Sequence, residues 1–134
     1  MVLSLGGQGD QSALGPVPEN VRLVHYAPQP ELIAKSAMVI THAGMNTTME
    51  TIRFGKPALA MPISYEQPGI AARIQYTGMG LRLPLHSSPH TIQSATERIL
   101  AKPRFAEASE ALMAASQSAG GSPRVAEIAE GLLS

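Results

Sequence analysis

Short, mostly apolar runs alternate along the chain with longer stretches whose apolar residues recur at helical spacing. The runs are Leu3 to Leu5, Val21-Arg22-Leu23-Val24, Met38-Val39-Ile40-Thr41, Ala58-Leu59-Ala60-Met61 and Leu81 to Leu85. Each ends at a turn or helix-opening signal, and together they predict five strands. Between them, helices are predicted at Glu31 to Lys35, Asn46 to Phe54 and Pro68 to Thr77. Gly55 and Gly78 directly follow the last two, where a left-handed residue closes a helix. Strands that are apolar throughout, rather than at every second residue, point to a parallel sheet covered on both faces. The expected class is α/β, a Rossmann-like, doubly wound sheet.

After Leu85 the pattern becomes purely helical. Ser88-Pro89 makes an N-cap and first-turn pair for a helix to Ala101, Pro103 opens another to Ser118, and a third is expected from Pro123 to Leu133. These helices are few and narrowly apolar, so they are expected to pack across the sheet. Gly120-Gly121 is expected to act as a hinge or cap, not as a domain linker. The length, 134 residues, is that of one domain able to bury about two-thirds of its unfolded surface. One domain over residues 1–134 is therefore expected.

Charge narrows the possible functions. Ten basic and ten acidic residues lie without runs of either sign, so no nucleic-acid stripe and no polybasic membrane anchor is written here. The absence of cysteine excludes a disulfide framework, a thiolate metal site and a cysteine nucleophile. The apolar opening, Met1 to Leu5, is too short for a signal segment or a membrane span and reads as a strand. A cytoplasmic location is the expectation.

The densest chemical signal is Thr41-His42-Ala43-Gly44-Met45-Asn46-Thr47-Thr48-Met49-Glu50. It sets a strand end, a glycine turn and a helix start in succession. In a sheet of this class ligands sit beyond the carboxyl ends of the strands, and a helix N-terminus there offers amide donors and partial positive charge to an anion. Gly44 would allow close backbone approach, and His42, Asn46 and Thr47 can each donate to a phosphate oxygen. Glu50, one turn on, repels phosphate but can accept two hydrogen bonds from a ribose diol. Each residue also has a plainer reading: His42 as a packed histidine, Asn46 or Thr47 as a simple helix cap. Three donors and a following carboxylate are more than a cap requires.

This ordered set resembles the donor-binding signature of family 1 glycosyltransferases of the GT-B fold, which include plant secondary-product, macrolide and carotenoid enzymes. The likeness runs through Tyr26-Ala27-Pro28-Gln29, Leu32, His42-Ala43-Gly44-Met45-Asn46-Thr47, Glu50, Gly55-Lys56-Pro57, Pro62 and Glu66-Gln67. Pro68 to Arg73 is similar to bacterial members, and Gly120 to Ile128 to their C-terminal helix. The resemblance implies that Tyr26 stacks on the base and that Gln29 touches base or ribose. It implies that His42, Gly44, Asn46 and Thr47 hold the diphosphate, Glu50 the ribose, and Glu66 with Gln67 the hydroxyls of the transferred sugar. Outside the pattern Tyr26 reads as a packing residue, Gln29 as a turn residue, and Glu66-Gln67 as a helix start before Pro68. Tyr26 and Met45 stand where plant members carry tryptophan. Glu66 replaces the commoner aspartate, which leaves glucose and its epimers open.

Two absences agree with the resemblance. Asp10 is the single aspartate, so an Asp-x-Asp metal clamp cannot form. Charge on the leaving diphosphate would then be met without metal, by a helix dipole, His42 and neutral donors. There is no Walker loop, and Gly6-Gly7-Gln8-Gly9 is too sparse for a dinucleotide fingerprint.

The donor implied is a UDP-sugar or dTDP-sugar, with no other cofactor and no metal. The family's acceptor-activating base belongs to an N-terminal domain, so no catalytic residue is expected in this chain, and the small-molecule acceptor would bind through that absent domain. About twenty residues separate Gly7 from Pro28, too few for a crossover helix and a further strand. Met1 to Leu5 thus resembles the second strand of the family domain. The central first strand is expected to be missing, leaving two edges to be closed by a second copy, a partner chain or rearrangement. A non-catalytic binding module that needs a partner is the main rival reading. An epimerase of the same fold would need two such halves and acidic groups this chain lacks.

Overall fold

The structure is a computed structural model describing residues 1–6 and 9–133; the side chains of Gln11, Ala13 and Leu133 are outside that description. Gly7 and Gln8, the middle of the glycine-rich turn, also lie outside it. The chain divides into two compact units, residues 1–32 and 33–134.

In the first unit, β1 (Val2–Ser4) pairs in parallel with β2 (Arg22–Val24), with Leu3 opposite Leu23. A short 3₁₀ turn, Gln11–Leu14, lies between them and was not foreseen from the sequence. Asp10 opens it by accepting from the backbone N–H of Ser12 at 2.8 Å and from its hydroxyl at 2.7 Å. The Ser12 hydroxyl, then the Ser12 amide, hold the Asp10 carboxyl below its usual range. The only aspartate of the chain is thereby occupied as a cap. Helix α1 (Gln29–Lys35) begins two residues earlier than its apolar spacing predicts and runs across the unit boundary.

The second unit holds a three-stranded parallel sheet in the order β3 (Val39–Thr41), β4 (Ala58–Ala60), β5 (Gly80–Arg82). Helix α2 (Met45–Arg53) connects β3 to β4, and α3 (Gln67–Tyr76) connects β4 to β5. Only β4 is buried at every residue, and it feeds two cores. Ala58 and Ala60 pack with Ala43, Ala71, Ile74 and Met79, while Leu59, fully buried, packs with Ala95, Ile99 and Phe105. This division follows from the pleat, which sends alternate side chains to opposite faces. The small alanines let the helices of their face come close to the strand.

Gly80 has no room for a side chain, because a Cβ there would run into the Ala58 carbonyl oxygen. Gly55 (φ 61°) and Gly78 (φ 80°) take the expected left-handed conformation after α2 and α3.

In the helical tail α4 (Pro89–Ala101) and α5 (Pro103–Ser118) match their predicted limits, whereas α6 (Gly121–Leu133) begins two residues before the expected Pro123 and takes in Gly121. Ser88 caps α4, its hydroxyl oxygen accepting from the Thr91 N–H at 3.2 Å. The expectation that all three helices lie across the sheet needs correction. Helix α4 packs on β4 and β5, whereas α5 packs on α2 and α4. Every described side chain of α6 is exposed, including Val125, Ile128 and Leu132 on its apolar stripe.

Candidate functional site

The turn joining β3 to α2 is built around an alanine in an unusual conformation. Ala43 has φ 66° and is fully buried in the first core. Its N–H donates to Thr41 Oγ1 at 3.1 Å, and Thr41, 8% exposed, is itself fixed because its carbonyl accepts from Met61 N at 2.8 Å. The reversal at Ala43 leaves His42 exposed on one side of the turn and brings Gly44 to the head of α2. An added Cβ on Gly44 would stand 2.6 Å from His42 Nε2, so the imidazole lies over the glycine. Gly44 thus leaves room for the imidazole beside the backbone, besides the close approach of a ligand expected from the sequence.

The N-cap residue of α2 is Gly44, which has no side chain to cap the helix. The first-turn amides of a helix have no intrahelical acceptor, and the helix dipole adds partial positive charge at that end. The carbonyl of Gly44 accepts from Thr48 N at 3.0 Å and from the Thr48 hydroxyl at 2.9 Å. The Thr51 hydroxyl likewise donates to the Thr47 carbonyl at 2.7 Å. Of the Asn-Thr-Thr run, then, the second threonine spends its hydroxyl inside the helix. Asn46 and Thr47, in the first turn of α2, line the concavity.

That concavity, of about 350 Å³, is lined by His42, Gly44, Met45, Asn46, Thr47 and Glu66. The structure thus gathers His42 and Gly44 from the β3–α2 turn, Asn46 and Thr47 from the first turn of α2, and Glu66 from the loop after β4. Met45, singled out only as a departure from tryptophan, contributes apolar surface. Glu66 precedes α3 but makes no side-chain cap to it, so its carboxylate is not consumed as a helix start. Gln67 is outside the lining, and its Oε1 accepts from Ile63 N at 2.9 Å and Ser64 N at 3.1 Å, tying down the loop that carries Glu66. Glu50 is half-buried one turn along α2 and is not part of the lining. Tyr26, 84% exposed, and Gln29 belong to the first unit.

The fold and site define an α/β protein of parallel strands with a polar concavity beside a helix start at their carboxyl ends. Comparison with known proteins narrows it. The family model for the Erythromycin biosynthesis protein CIII-like C-terminal domain matches residues 1–134, and the chain belongs to that family.

Among curated relatives it is similar to a zeaxanthin glucosyltransferase of Pantoea ananas, 32% identical over 83% of this chain and 26% of the relative. It is also similar to a demethyllactenocin mycarosyltransferase of Streptomyces fradiae, 30% identical over 100% of this chain and 29% of the relative. A solved structure, the glycotransferase of kitacinnamycin, superposes with a TM-score of 0.89 at 27% identity, covering 96% of this chain and 34% of that one. The chain spans about a third or less of the length of these glycosyltransferases.

Proposed function

We propose that the chain binds the diphosphate of a nucleotide sugar at the head of α2, as the donor-binding part of a glycosyltransferase acting on a small-molecule hydroxyl. The observation that carries this reading is the single concavity shared by His42, Asn46, Thr47 and Glu66 at the head of a helix whose N-cap residue is a glycine. Neutral donors and a helix dipole suit a dianionic pyrophosphoryl group, and they sit where its charge would grow as it leaves. Glu66 would be repelled by that group, so it is assigned to hydroxyls of the sugar beyond it.

The reaction we infer is inverting transfer. An acceptor oxygen, relieved of its proton by a base outside this chain, forms a bond to the anomeric carbon from the face opposite the diphosphate. The bond between that carbon and the diphosphate oxygen breaks, and its electron pair leaves with the nucleotide into the His42 and Asn46 cradle. No metal ion takes part in this scheme. Glu50 is assigned to the ribose hydroxyls, Gln67 to the sugar through its amide N–H groups, and Tyr26 and Gln29 to the base, the exposure of the Tyr26 ring supporting a stacking role. A UDP-glucose-like donor is favoured over a dTDP-sugar, by likeness to a glucosyltransferase; the mycarosyltransferase relative shows that the family scaffold serves other sugars. The setting proposed is cytoplasmic.

Calorimetric titration of the chain with UDP, dTDP and UDP-glucose tests this reading. Weak UDP binding is expected, with no turnover of UDP-glucose by this chain alone. His42→Ala should weaken UDP by about 10- to 100-fold, the worth of one hydrogen bond to a charged group. Equal affinity for UDP in the two proteins would overturn the assignment.

A further inference from the structure

The turn that presents His42 holds a residue in a conformation that L-amino acids with a side chain avoid. Ala43 sits at φ 66°, where its Cβ crowds the following carbonyl, and a glycine would adopt that backbone freely. Two interactions hold it there. Its methyl group is buried in the core cluster that also holds Ala60 and Ala71, and its N–H is taken by the Thr41 hydroxyl oxygen. Neither group reaches the concavity: Ala43 is 0% exposed and Thr41 is nearly so. Strain of this kind persists only where surrounding structure over-determines it, and it gathers at sites where a side chain must be aimed.

The geometry points to Thr41 as a positioning residue for the diphosphate site proposed above, acting through Ala43 on His42. The chain of contacts is short. The Thr41 carbonyl is bound to Met61 N at the end of β4, which fixes the strand. Its hydroxyl oxygen then accepts from Ala43 and selects the left-handed turn. That turn sets the imidazole over Gly44, at the head of α2. Were Ala43 to relax to a negative φ, the peptide planes on either side of it would rotate and the ring would leave that place. The inference rests on the diphosphate reading only for its consequence in binding; the aiming of the ring can be measured without any ligand.

Thr41→Val keeps the volume and branching of the side chain and removes the acceptor, while Thr41→Ser keeps the acceptor. In the ligand-free 134-residue chain, the nuclear Overhauser contact between the His42 ring protons and the Gly44 Hα protons should be present. It should be lost in Thr41→Val and retained in Thr41→Ser. Titration with UDP should give about tenfold weaker binding for the valine variant, the equivalent of one neutral hydrogen bond, and near-native binding for the serine variant. Adding Ala43→Gly to Thr41→Val should recover part of the loss, because glycine takes the left-handed turn unaided. If Thr41→Val does not fold, Thr41→Ala poses the same question with the same readouts.

A ring contact and an affinity unchanged in the variant lacking the hydroxyl would overturn the proposal, as would a serine variant no better than valine. If native protein shows the ring contact but no affinity for UDP, the positioning role stands and the diphosphate reading fails.

Discussion

At the scale of single residues, His42 and Gly44 behave as one unit. Gly44 has an ordinary extended backbone, φ −66° and ψ 145°, so alanine there costs nothing in conformation. Its only conflict is with the imidazole. Gly44→Ala is therefore expected to leave the melting temperature within about 2 °C of native while weakening UDP several-fold, read by a thermal melt and a titration of the same sample. A large drop in melting temperature would mean the glycine serves the fold instead. The sequence pattern singled out both residues but assigned the glycine to the ligand. The reason it serves the histidine lies in the φ of Ala43, and nothing in the letters His-Ala-Gly announces that the alanine is left-handed. Thr41 was passed over for a similar reason: a threonine ending a strand is read as β-propensity, and its hydroxyl acquires a task only once the turn exists.

At the scale of elements, most helix limits were readable because their caps are chemical. Ser88-Pro89, Pro103, Gly55 and Gly78 mark ends that the structure places within a residue or two. Strand lengths were less legible, since apolar runs such as Leu81 to Leu85 continue past the last ladder pair into a loop in which Leu85 is exposed. Two glycine and cap positions separate in energy. Gly80→Ala forces a methyl group into the Ala58 carbonyl at the β4–β5 pairing and is expected to cost about 1–3 kcal/mol or more, as overpacking does. Ser88→Ala loses one capping bond at the exposed head of α4 and is expected to cost about 1 kcal/mol. Urea unfolding of both variants checks the order; a Ser88 variant less stable than the Gly80 variant contradicts it.

At the scale of the whole molecule, strand order carries the argument. Among the described residues β1 has a strand on one side only, β2, and β3 has one on one side only, β4. The expectation of a sheet lacking its central strand came from counting residues between Gly7 and Pro28, a constraint of chain length that needs no structure. What the letters did not disclose is that the tail leaves α6 uncovered, because its stripe of Val125, Ile128 and Leu132 looks the same whether buried or bare. Unpaired strand edges are templates for association. We propose that a second copy or a partner chain completes the sheet, and light scattering across a concentration series should show species larger than a monomer. A monodisperse monomer with a well-dispersed amide spectrum would count against this.

Gln67 leaves one last consequence. Both N–H groups it accepts belong to its own loop, at Ile63 and Ser64, so the oxygen of its side chain is already spoken for. In the proposed donor site, what remains to meet the sugar is the amide NH2, which can only donate. A hydroxyl or an ether oxygen of the sugar would serve that donor alike, and discrimination between them falls to the neighbouring Glu66, whose carboxylate only accepts and so asks for a hydroxyl.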